Sequence, residues 1–100
     1  MQISGHAALV TGGGSGLGEA TARELARQGA RVAVLDVNAD NARRVAADIG
    51  GLGLACDITD TASLQAALDA ATAAHGPARI LMNIAGIGTA KRVVQKDGSA

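Results

Sequence analysis

The sequence predicts a doubly wound α/β domain, a parallel sheet with helices on both faces. Four short apolar runs alternate with three longer stretches rich in Ala, Leu, Arg, Glu and Gln, all good helix formers. The apolar runs show little apolar/polar alternation, as strands buried on both faces do. Glycines, or Gly-Pro, stand where each helical stretch ends. The 100 residues give room for one small domain.

The first strand is Ala7-Ala8-Leu9-Val10. From about Gly16 to Gln28, Leu17, Thr21, Ala22, Leu25 and Ala26 recur at helical spacing, and Gly29 is placed to stop the helix in a left-handed cap. The second strand is Arg31 to Leu35. Asn38 or Asp40 caps a second helix through about Ile49, ended by Gly50-Gly51. The third strand, Leu52 to Cys56, is weakened by Gly53. Asp60 or Thr61 caps the third helix, whose face is Leu64, Ala67, Leu68 and Ala71, and Gly76-Pro77 stops it. Arg79 to Asn83 is the fourth strand. The order β-α-β-α-β-α-β calls for right-handed crossovers and a spatial strand order 3-2-1-4. The fourth strand is then an apolar edge without a fifth beside it. Residues 1–100 are therefore expected to be the N-terminal part of a larger domain, incomplete at its C-terminal side.

Composition excludes several classes. With 48% apolar and 18% charged residues the chain is too apolar to be disordered. Nine Lys and Arg balance nine Asp and Glu, which leaves no electrostatic footprint for nucleic acid or an anionic membrane. There is no Phe, Tyr or Trp. The core must come from Val, Leu, Ile and Ala, and neither base stacking nor a catalytic tyrosine is available in these residues. One cysteine, Cys56, excludes an intramolecular disulfide, and no Cys/His cluster has metal-ligand spacing. The first residues resemble neither a signal peptide nor a membrane span, so a cytoplasmic protein is expected.

The strongest chemical signal is Thr11-Gly12-Gly13-Gly14-Ser15-Gly16-Leu17-Gly18, between the first strand and the first helix. Glycines let the backbone turn tightly and approach a pyrophosphate, and the helix start offers N–H groups and a positive dipole end, as in a Rossmann dinucleotide fold. A P-loop reading fails, because Glu19 and Ala20 stand where a Lys and a Ser or Thr are required. A loop for S-adenosylmethionine normally follows an acidic residue, and Val10-Thr11 stands there instead.

Asp36 ends the second strand, where a carboxylate accepts from both hydroxyls of an adenosine ribose and repels a 2′-phosphate. Arg43 and Arg44 lie a turn or more into the next helix and are expected to be solvated. The cofactor is therefore NAD. Asp57-Ile58 follows the third strand and suits an adenine pocket, the carboxylate accepting from the amino group. Asn83-Ile84-Ala85-Gly86 follows the fourth, where small residues let a dinucleotide pass close to the backbone. Each has a plainer reading, respectively a βα turn, a surface turn residue, a turn cap and a strand exit. Together they fall at the carboxyl ends of successive strands, where an open α/β sheet binds ligands. Two other readings stay open: a nucleotide-binding module without catalysis, and a methyltransferase fragment.

These residues make the chain resemble the short-chain dehydrogenases/reductases. Thr11, Gly12, Gly16 and Gly18 match the family's Thr-Gly-x-x-x-Gly-x-Gly, Asp36 its acidic residue, Asp57-Ile58 its Asp-hydrophobic pair, and Asn83-Ile84-Ala85-Gly86 its Asn-Asn-Ala-Gly with Ile for the second Asn. Ala85-Gly86-Ile87-Gly88 and the basic stretch after it look like the branch of type II 3-hydroxyacyl-CoA dehydrogenases. The resemblance implies that Ser15 and Leu17 contact the pyrophosphate side, Asp36 the ribose, Asp57 and Ile58 the adenine, and Ile84, Ala85 and Gly86 the centre of the cofactor. It also implies an oxidoreductase that interconverts a secondary alcohol, such as a 3-hydroxyacyl-CoA, and a ketone, in a homodimer or homotetramer. The family's Ser, Tyr and Lys catalytic set is absent: the chain has no Tyr, and Ile87 and Arg92 stand four residues before Lys91 and Lys96.

The remaining residues have plain readings. Cys56 is expected to be a small core residue, His75 a cation in a last helical turn, His6 a surface residue, and Lys91-Arg92 a solvated loop rather than a site for CoA phosphates.

Overall fold

The computed structural model describes residues 3–12, 14 and 16–84. The elements are β1 (Ala7–Thr11), α1 (Gly16–Arg27), β2 (Arg31–Asp36), α2 (Ala39–Ile49), β3 (Leu52–Ala55), α3 (Thr61–His75) and β4 (Ala78–Asn83). All strand pairs are parallel and their order is β3-β2-β1-β4, as the crossover rules require.

Of the paired cap candidates, Asn38 and Asp60 take the role. The Asn38 side chain accepts the Asn41 N–H at 3.0 Å, and Asp60 accepts from Ala62 at 3.0 Å and Ser63 at 3.3 Å, using helix donors that have no partner within the helix. Asp40 and Thr61 fall instead inside the first turns. Gly29 ends α1 at φ 94°, as its position suggests.

Side chains of the strands alternate between two layers. On one, Ala8, Val10, Val32 and Val34 pack against Ala22 and Leu25 of α1 and Ala42 and Val45 of α2. On the other, Leu9, Ala33 and Leu35 meet Cys56 and the α3 alanines Ala67 and Ala71. Cys56 lies just past β3 rather than inside it and is buried, as a small core residue should be.

Burial on both faces holds for β1 and for Val32 to Leu35 of β2, but not for the other two strands. β3 is at most half-buried, and Leu81 of β4 is 64% exposed. Both are sheet edges, and β4 lies outside the main footprints of α1, which covers β1 and β2, and α2, which covers β2 and β3. Gly53 also has a different meaning from a weakened strand. A Cβ built there would lie 2.7 Å from the Ala42 carbonyl oxygen and 2.9 Å from the Arg43 Cα. The missing side chain is what lets the α2 backbone rest directly on β3.

Candidate functional site

Strand register brings the described residues of the four sequence signals to the carboxyl end of the sheet. Thr11 stands opposite Leu35 on one side and Asn83 on the other, and Asp36 stands opposite Ala55. The chain leaving β1 turns at Gly12, φ 69°, whose N–H donates to the Leu35 carbonyl at 2.7 Å. It enters α1 at Gly16, φ 58°, a left-handed conformation that side chains disfavour. Leu17 follows, 63% exposed at the start of α1, while Gly18 is buried. Thr11 donates its hydroxyl to the Asn83 side-chain oxygen at 2.8 Å, tying the ends of β1 and β4. Ile84 follows at once and packs on the margin of the α1/α2 core. Ser15, Ala85 and Gly86 lie outside the described residues, as do Lys91 and Arg92.

Asp36 and Asp57 line one open cleft of about 260 Å³, together with Gly12, Val37, Cys56, Ile58 and Thr59. The Cys56 N–H donates to the Asp36 carbonyl at 2.9 Å, which joins the two exits. The Asp36 carboxylate accepts the Gly14 N–H at 3.0 Å through one oxygen and the Asn38 N–H at 2.9 Å through the other. The glycine-rich turn is thus pinned to the end of β2. A carboxylate has about four acceptor positions, so these two bonds leave room for a ligand's hydroxyls.

Asp57 is held differently. Its Oδ1 accepts both the N–H of Thr59, at 2.9 Å, and its hydroxyl, at 2.6 Å. The hydroxyl bond, then the N–H bond, holds the carboxyl below its usual range. It is therefore ionised at neutral pH and accepts only. Next to it, burial pushes the Cys56 thiol up, which keeps it protonated and a poor nucleophile. The cleft offers carboxylate acceptors, an apolar wall at Val37 and Ile58, and a backbone free of side chains at Gly12. That set is chemically complementary to an adenosine, whose ribose carries hydroxyl donors and whose flat purine ring carries an amino donor.

Arg44 departs from expectation. It is not simply solvated: its guanidinium donates to the Gly14 carbonyl at 3.0 Å and to Glu19 at 3.2 Å. Arg44, and then Arg23, hold the Glu19 carboxyl below its ordinary value. Arg43, on the same helix, is exposed as expected. Arg44 reaches the loop because α2 packs beside α1, a long-range fact that spacing does not carry. Thr59 was legible in principle, since Asp-x-Thr is a local turn pattern. His75 ends α3 half-buried, and its ring Nδ1 has no partner among the described residues. His6 is half-buried rather than fully on the surface, and its carbonyl accepts the Arg31 N–H at 2.9 Å at the start of the sheet. Among the described residues no group of three or more His, Cys, Asp or Glu is placed to hold a metal, and no helix is long and apolar enough to cross a membrane.

Comparison with known proteins matches residues 6–99 to the short chain dehydrogenase family. The chain is 47% identical over 92 residues to D-threitol dehydrogenase of Mycolicibacterium smegmatis, covering 87% of this chain and 35% of that protein. It is 39% identical over 89 residues to sorbitol dehydrogenase of Cereibacter sphaeroides, covering 87% and 35%. Among solved structures, 3-ketoacyl-(acyl-carrier-protein) reductase from Brucella melitensis, complexed with NADH, superposes with a TM-score of 0.77 at 42% identity, over 79% of this chain and 34% of that one. Hydroxysteroid dehydrogenase from Escherichia coli does so with 0.79 at 37% identity, over 82% and 36%. The chain thus spans about a third of the length of these relatives.

Proposed function

The chain belongs to the short-chain dehydrogenase/reductase family, and from that premise we propose that it is the NAD(H)-binding part of an oxidoreductase that interconverts a secondary alcohol and a ketone. The observation that carries this reading is the meeting of Asp36 and Asp57 in one cleft of about 260 Å³ beside Gly12. Asp36 accepts from the hydroxyls of the adenosine ribose, and its charge disfavours a 2′-phosphate. Asp57 accepts from the adenine amino group while Ile58 and Val37 flank the ring. Gly12, Gly16 and Gly18, with Ser15 and Leu17, let the pyrophosphate approach the start of α1, and Ile84, Ala85 and Gly86 pass along the centre of the dinucleotide.

The bound nicotinamide supplies the hydride acceptor for alcohol oxidation. The 100 residues hold no tyrosine, so their share of the reaction is to bind and orient. As substrate we propose a 3-hydroxyacyl-CoA or a similar secondary alcohol, on the likeness of Ala85 to Gly88 and the basic stretch after it to that branch of the family. Alcohol and ketone names among the relatives, threitol, sorbitol, ketoacyl and hydroxysteroid, support the wider class. A homodimer or homotetramer in the cytoplasm belongs to the same proposal; a single free thiol suits a reducing compartment. The family match runs against the methyltransferase alternative.

Titration calorimetry with NADH and NADPH tests the cofactor. NADH is expected to bind more tightly, and Asp36→Ala to weaken it by about 1.5–3 kcal/mol, the range for a hydrogen bond to a charged group. Equal affinity for both dinucleotides, or no loss in the variant, removes Asp36 from the role. NAD-linked turnover of acetoacetyl-CoA or its 3-hydroxy partner by the full-length enzyme tests the substrate, and its absence defeats the substrate proposal.

A further inference from the structure

We propose that Thr59 is a positioning residue that fixes the Asp57 carboxylate to read the 6-amino group of a purine, so that the cleft prefers adenine to hypoxanthine. The proposal rests on the dinucleotide reading above and adds to it a determinant of base choice.

Asp57 is held on every side but one. Its N–H donates to Ser63 Oγ at 3.1 Å, and its carbonyl accepts the Asp60 N–H at 3.0 Å. Ser63 is itself placed by the α3 cap, since its N–H donates to Asp60 at 3.3 Å. The backbone of Asp57 is therefore anchored to the first turn of α3. The side chain is then clasped through Oδ1 alone, by the Thr59 N–H at 2.9 Å and the Thr59 hydroxyl at 2.6 Å. Among the described residues no bond is made to Oδ2. Both Asp57 and Thr59 line the cleft. One oxygen is occupied twice by one residue, and the other is left for a ligand.

The chemistry of the two bases differs at that point. Adenine presents an amino donor at C6. Hypoxanthine presents a carbonyl acceptor at C6 and a donor at N1. An ionised carboxylate accepts and cannot donate, so a fixed Oδ2 matches the first base and faces oxygen lone pairs in the second. A carboxylate free to rotate would swing toward the N1 donor of hypoxanthine and lose much of the difference. The hydroxyl of Thr59 opposes that rotation, because turning the group breaks a 2.6 Å bond to an anion. A site built to pair a substrate donor rejects an analogue that lacks it, because its own polar group is then left unpaired.

The test compares NADH with reduced nicotinamide hypoxanthine dinucleotide, by titration calorimetry on the protein and on two variants. The protein is expected to prefer NADH by about tenfold or more. Thr59→Val removes the hydroxyl, keeps the branched shape and keeps the backbone N–H. It is expected to narrow the preference by at least about threefold, with the smaller change on the hypoxanthine side. Thr59→Ser retains the hydroxyl and is expected to keep the preference. A purely structural turn residue would weaken both dinucleotides equally, leaving their ratio unchanged. An unchanged ratio in Thr59→Val, or an equal collapse in Thr59→Ser, overturns the proposal. NADH binding without any base preference overturns it too, and leaves the dinucleotide reading standing. Failure of the protein to bind either dinucleotide overturns both.

Discussion

The two faces of the sheet are built from alternate residues of the same strands, yet they are closed to different degrees. Under α1 and α2, Ala8, Val10, Val32 and Val34 meet Ala22, Leu25, Ala42 and Val45, all of them buried. Under α3, Leu9, Ala33 and Leu35 are buried, while Leu54, Leu64 and Leu68 are only partly so. An apolar groove of about 250 Å³ runs there between Leu64 and Leu68 of α3 and Leu81 of β4. Among the described residues two helices close one face and one helix half-closes the other. An apolar stripe on a helix states that a face is to be covered; how completely it is covered depends on what else packs beside it.

The sharpest way to break this contrast is to cut equal side chains on the two faces. Leu25→Ala, on the closed face, is expected to cost about 2–5 kcal/mol. Leu64→Ala, beside the groove, is expected to cost less than half as much, because a partly exposed side chain gives up less burial and leaves no sealed cavity. Urea denaturation midpoints measure both. Equal losses would mean that the α3 face is as closed as the other.

A second expectation concerns how tightly α2 sits. Gly53→Ala is expected to destabilise by about 1–3 kcal/mol, since the added carbon meets the Ala42 carbonyl and α2 must lift. A neutral result in the same denaturation assay would show that α2 does not rest on the β3 backbone.

The smallest effect is electrostatic and belongs to the closed face. Arg27, and then Gln28, draw the Glu24 carboxyl from 4.5 down to about 2, and the Arg44 and Arg23 bonds lower Glu19. A carboxylate with a depressed folded-state pKa contributes stability that is complete above its unfolded value and disappears as pH falls through the folded one. The melting temperature is therefore expected to drop between pH 4.5 and about 2, and to drop less in a Glu19→Gln, Glu24→Gln double variant. Glu24 is exposed and Glu19 only partly covered, so the difference is small and shrinks further in salt. An identical acid limb in the variant would remove these pairs from the account.

Much of this was legible in the chain because the signals are local. Asn38 and Asp60 accept helix N–H groups two or three residues ahead, Gly29 and Gly50 take a left-handed turn that L side chains resist, and an apolar run with no alternation becomes a strand wherever it lands. Asp36 and Asp57 were recognisable for the same reason, each standing at the carboxyl end of a run or just past it. The order 3-2-1-4 also followed, since the handedness of crossovers leaves few alternatives.

What the sequence determined by itself, then, is the succession of elements, their stops and the end of the sheet at which the acidic residues gather, all set by bonds spanning a few residues and by backbone chirality. Tertiary structure alone decided that Arg44 bonds to the Gly14 carbonyl 30 residues away and that Gly53 admits the α2 backbone. Those facts depend on which surfaces meet in space and on how much area each neighbour removes from solvent. Neither quantity is written in the spacing of a segment, because burial is a property of the pair that packs and not of the strand that is packed.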